Sequence, residues 1–131
     1  MQIVVKASNQ QKTVLESMEW LEPVQFHWVT DGKYVLDADL YFDLCFEEEG
    51  WTFEEIPSTA VFVNAVFQTS ESLPSNAIRL NAWNSFLNRP IWEIASSNQA
   101  NNQNAILLLE KIGRKAAVSY THLTLPTKRI V

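Results

Sequence analysis

The chain has 131 residues, 47% hydrophobic and 19% charged, with a formal net charge of −5 and a pI near 4.9. That is the composition of one globular domain with a real core, not of two domains and not of a disordered chain. The acidic balance excludes a nucleic-acid or anionic-membrane surface, which needs a basic patch, and a lone cysteine, Cys45, excludes an internal disulfide framework. No signal-type segment opens the sequence and no apolar run reaches the roughly 18 residues of a membrane span, so a cytoplasmic, reducing setting is expected.

In chain order, 2-QIVVKA-7 is a short apolar run bounded by polar residues and predicts an interior strand. Ser8 followed by Gln11 is a capping-box pattern, and Val14, Leu15, Met18 and Leu21 recur at helical spacing, which predicts a helix over 9–21 stopped by Pro23. Next, 24-VQFHWVT-30 is β-branched and aromatic, a second strand turned by Asp31-Gly32. Further strands are expected at 38-ADLYFDLCF-46, 60-AVFVNAVF-67, 77-AIRLNAW-83 and 91-IWEIAS-96. The segment between the third and fourth strands is short and acidic, and a full helix is not expected there. A second helix follows Asn98, with Ala105, Leu108, Leu109 and Ile112 as its apolar face and Gly113 at the position after its C-cap.

Apolar strands alternating with helices and loops predict an α/β fold of Rossmann type, a mostly parallel sheet of about six strands with few helices. The segment 118-VSYTHLTLPT-127 resembles a translated sequencing adapter. Residues 117–131 are therefore set apart as a non-native tail in which Tyr120, His122, Lys128 and Arg129 carry no function, and 1–116 as a domain truncated before its natural end.

Three local matches, in order and with spacing, make residues 1–115 resemble the N-terminal, nucleotide-binding half of the 3-hydroxyacyl-CoA dehydrogenases. They are 38-ADLYFDLCFEE-48 against A-D-L-V-x-E-A-x-x-E, 62-FVNAV-66 against the N-T-S-S segment, and 80-LNAWNSFLNRPIWEIA-95 against L-H-F-F-N-P … L-V-E-V-V. The resemblance implies NAD as cofactor, an acyl-CoA substrate, a helical C-terminal domain that completes the molecule, and a homodimer. In that family a histidine is the general base and a glutamate orients it. The glutamate position is Glu93, the histidine position is Asn81, the following asparagine is Asn84, its proline is replaced by Ser85, and the serine of N-T-S falls at Val66. An amide has no useful pKa and cannot replace imidazole as a base.

The cofactor positions are eroded too. Pyrophosphate binding on this fold uses G-x-G-x-x-G after the first strand, whereas the turn here is 7-ASNQQK-12 and the chain's glycines are Gly32, Gly50 and Gly113. Asp31 stands where the ribose-binding acid would lie, or is part of an ordinary Asp-Gly turn. Glu47 matches the cofactor-contacting glutamate, or belongs to a solvated cluster with Glu48, Glu49, Glu54 and Glu55. His27 has no companion ligands at metal spacing and reads as a sheet histidine. Ser85 and Ser96 lack triad companions, and the five tryptophans read as core. A lone acid in an apolar strand needs a partner, so Glu93 is expected to bond to Asn81, Asn84 or Arg79. Three readings follow: a non-catalytic fragment of a 3-hydroxyacyl-CoA dehydrogenase relative, a scaffold or interaction domain, or a binder of another acyl or nucleotide ligand.

Overall fold

A computed structural model describes residues 1–30, 33–56, 60–67, 72–83, 86–96 and 99–119. The elements in order are β1 (Gln2–Lys6), α1 (Asn9–Ser17), β2 (Gln25–Trp28), β3 (Leu40–Asp43), α2 (Phe46–Glu49), β4 (Val61–Asn64), β5 (Ala77–Leu80), β6 (Ile91–Ala95), α3 (Gln99–Lys111) and β7 (Lys115–Val118). They form an α/β structure around one sheet ordered β2-β1-β3-β4-β5-β6-β7. All pairings are parallel except β5 with β6, which a connection too short for a crossover makes antiparallel.

The sheet has seven strands where about six were expected. The seventh, β7, pairs with β6 from Ile91↔Lys115 to Ile94↔Val118, and Ser119 N donates to Ile94 O at 2.8 Å. It contains Ala117 and Val118, the first residues of the segment set apart by its adapter-like sequence. Its four residues, Lys-Ala-Ala-Val, carry almost no pattern of their own, and pairing with β6 is what makes them a strand.

α1 is shorter than its apolar spacing implied. It begins with the expected capping box, in which Ser8 Oγ accepts from Gln11 N at 3.2 Å and Gln11 Oε1 accepts from Ser8 N at 2.8 Å. It ends at Ser17 because Trp20 turns inward and its indole N–H takes the Leu15 carbonyl at 3.2 Å, an acceptor that a continuing helix would use. Leu21, expected on the apolar face, is 72% exposed. α3 follows expectation, with Ala105, Leu109 and Ile112 buried and Gly113 at φ +89°, a left-handed turn that a side chain there would strain.

α1 and α3 both pack on one face of the sheet. Leu15, Met18, Ala105 and Leu109 meet Ile3, Val5, Phe42, Phe62, Leu80, Trp92 and Ile94 there. The opposite face, from Val4 and Tyr41 to Val61 and Val63, is covered by connecting segments that carry Tyr34, Trp51, Phe53 and Ile56. Trp92 lies at the centre of the helical face. Its indole donates to Leu87 O at 3.0 Å, and its ring meets Phe42 and Trp20 edge-on at 6.0 and 6.3 Å. The Arg114 guanidinium lies 4.8 Å from the Trp20 ring and 5.8 Å from that of Trp92, and donates to Glu19 O at 2.6 Å. No helix among the described residues is long and apolar enough to cross a membrane.

Trp92→Ala should lower unfolding free energy by about 3–5 kcal/mol in urea titrations. Ile91→Ala, at a side chain 51% exposed, should change it by less than about 1 kcal/mol.

Candidate functional site

The strand order turns between β1 and β3, the place where open α/β sheets receive ligands, beyond the carboxyl ends of the strands. Two depressions lie along that edge. One, of about 330 Å³, is lined by Lys6, Ser8, Cys45, Glu48, Glu49 and Thr52 among others, and a smaller one, about 140 Å³, by Ser8, Gln11, Trp83 and Leu87 among others. Farther along, at the junction of β5 and β6, Asn81, Phe86, Arg89, Pro90, Ile91 and Glu93 line a third, of about 330 Å³.

Asn81 and Glu93, the positions to which the sequence resemblance assigns a base and its orienting glutamate, are brought together. Asn81 is 1% exposed, and its Nδ2 donates to Glu93 Oε1 at 3.2 Å while its backbone N–H donates to Glu93 O at 3.1 Å. Its Oδ1 accepts from Trp83 N at 3.4 Å. Asn81 is thus one of the partners expected for Glu93. Arg79, also buried, directs its guanidinium to the carbonyls of Ala65 and Val66 at 2.9 and 3.1 Å. Asn84, Ser85 and Asp31 lie outside the described residues.

Glu47 is bonded at both carboxylate oxygens. Oε1 accepts from Val66 N and from the Trp83 indole N–H, each at 3.0 Å, and Oε2 accepts from Phe67 N at 3.0 Å. It belongs to no solvated cluster; it ties α2 to the ends of β4 and β5. Asn64 performs a similar service, donating to Leu44 O at 3.3 Å and accepting from Ala82 N at 3.0 Å. At the amino end of α1, Ser8 N and Gln11 N, two of the amides an anion would need, are already held by the capping box.

Asp43 went unnoticed in the sequence and is the most unusual group at this edge. It is fully buried at the end of β3; Oδ1 accepts from Cys45 N at 3.3 Å, and Oδ2 has no partner among the described residues. Burial raises its pKa to about 6, against the opposing pull of Lys6 and of the nearby Cys45 and Thr52 amides. The signal was present as a single acid inside 40-LYFDLCF-46, the same signal that marked Glu93. The neighbouring Cys45 thiol is pushed up to about 11 by burial and by Glu49, Glu48 and Asp43, so it stays protonated and is not a nucleophile at neutral pH. His27 Nε2 meets Gln2 Oε1, and no group of three His, Cys, Asp or Glu among the described residues is placed to hold a metal ion.

Two expectations follow. Glu47→Ala leaves three donors without their acceptor and should destabilise the fold by roughly 2–4 kcal/mol, read as a lower urea midpoint. A carboxyl whose folded pKa is raised lets the folded state keep its proton longer, so its stabilising contribution is complete below the unfolded value and is lost as pH rises through the folded value. Stability should therefore fall between about pH 3.8 and about pH 6 by on the order of 3 kcal/mol from this group. Asp43→Asn should remove that part of the pH dependence and unfold at higher temperature than the parent at pH 7.

No protein-family model, curated protein or solved structure matches the chain.

Proposed function

We propose that the chain is a cytoplasmic, Rossmann-like domain of the 3-hydroxyacyl-CoA dehydrogenase lineage that no longer transfers hydride and serves as a structural or interaction domain. The observation that carries this reading is the Asn81–Glu93 pair. The carboxylate still receives a hydrogen bond at the position of the base, 3.2 Å away, but from an amide that cannot take the proton of a substrate hydroxyl. The hydroxyl of the family's serine is absent as well, since Val66 stands there with its backbone N–H committed to Glu47.

The cofactor positions support the same reading. The residues present do not suit a dinucleotide. Two helix-end amides are occupied by the capping box, the turn has no glycine to admit a pyrophosphate, and Glu48 and Glu49 border the adjacent depression with negative charge. Acyl-CoA chemistry, NAD and a helical partner domain with its homodimer belong, in this reading, to the ancestral protein.

Titration with NADH, followed by nucleotide fluorescence and by calorimetry, is the direct test. No binding tighter than about 100 μM, roughly 5.5 kcal/mol, is expected. Tighter binding, displaced by NAD⁺, overturns the proposal.

A further inference from the structure

The depression at the carboxyl ends of β1 and β3 is crossed by one ion pair. Lys6 Nζ lies 3.0 Å from Glu49 Oε2, and both residues line the depression. Lys6 is also the register partner of Asp43 across the parallel β1–β3 pair, so the two side chains leave the sheet on the same face. Asp43 Oδ2 is buried and makes no hydrogen bond among the described residues, a costly state for a carboxylate. Lys6 is the cation whose charge bears on it.

One ammonium group therefore has two carboxylates to serve. Glu49 is on the surface, its side chain 58% exposed; Asp43 is in the interior. We propose that Lys6 is a proton-governed latch: with Asp43 protonated it holds the end of α2 through Glu49 across the depression, and with Asp43 ionised it turns inward to Asp43 Oδ2 and releases that end.

The surroundings favour this exchange. The charged groups that act on Asp43 are Lys6 from β1 and Glu49 from α2, with the Cys45 thiol beside it; Glu48 bears on Cys45, and Val63, the register partner of Asp43 on β4, and Thr52 bring no charge. Ionised Asp43 attracts Lys6 and repels Glu49, so both forces act in one direction. α2 has four residues and no side-chain bond at its N-cap, so little of its own structure resists release. Glu47 stays anchored by Val66, Phe67 and Trp83, which confines the movement to Glu48, Glu49 and Gly50. Trp51 follows at once, its ring 6.2 Å from that of Phe46. With the Asp43 pKa at about 6, the exchange falls in a range that a cell can reach.

The test is an NMR titration of the full chain from pH 4.5 to 8. It follows the Asp43 carboxyl carbon, the Lys6 side-chain nitrogen and the Trp51 indole N–H, the last assigned with Trp51→Phe. All three should shift with one midpoint near 6. The Trp51 shift should vanish in Asp43→Asn and in Lys6→Met, and persist in Glu48→Gln. In Lys6→Met the Asp43 midpoint should move up. A Trp51 titration that survives in either of the first two variants overturns the latch, as does an Asp43 titration that leaves Lys6 and Trp51 still.

Discussion

β1 is paired in parallel on both sides, to β2 and to β3, and is buried on both faces through Ile3, Val4 and Val5. Parallel neighbours cannot be joined by a tight turn, so the chain leaves over a face of the sheet and returns from the same end each time. It goes to one side of β1 by way of α1 and then reverses to reach β3. That reversal separates the segments after β1 and β3 and opens the edge where Ser8, Cys45 and Glu48 face a shared depression. The position of every group discussed at that edge follows from this one arrangement.

The edge is closed largely by the chain's own polar groups. The capping box takes two amides of α1; Glu47 takes the ends of β4 and the turn after β5; Asn64 joins the end of β3 to Ala82; Arg79 holds two carbonyls after β4; Asn81 and Glu93 hold β5 to β6. A ligand arriving there would have to displace made hydrogen bonds, and the exchange would return little.

Three buried charges among the described residues are handled in three ways. Arg114 lies against the rings of Trp20 and Trp92 and bonds to Glu19 O, so its charge rests on aromatic faces and a carbonyl, and burial lowers its pKa. Arg79 is satisfied by the carbonyls of Ala65 and Val66. Asp43 differs: one oxygen has a weak backbone donor, the other makes no hydrogen bond among the described residues, and its charge is the only one of the three that ordinary pH can remove. Among these three groups, the charge that pH can adjust therefore lies at the end of β3, beside the Lys6–Glu49 ion pair.

What the sequence determined by itself was local. The Ser8–Gln11 box, the apolar face of α3 with Gly113 beyond it, the run of interior strands and the need of Glu93 for a partner are each set by residues a few positions apart, through periodicity, capping and turn geometry. The tertiary structure decided the rest. β7 exists because β6 offers an edge to four residues of weak pattern. α1 stops early because Trp20 is drawn to Trp92, Phe26 and Arg114. Glu47 leaves its acidic neighbours because donors about 19 and 36 positions away converge on it. Asp43 acquires an unusual proton affinity because the fold buries it completely, an effect that outweighs the opposing pull of Lys6. Each of these depends on partners distant in the chain, and neither periodicity nor composition carries information about which distant groups will meet.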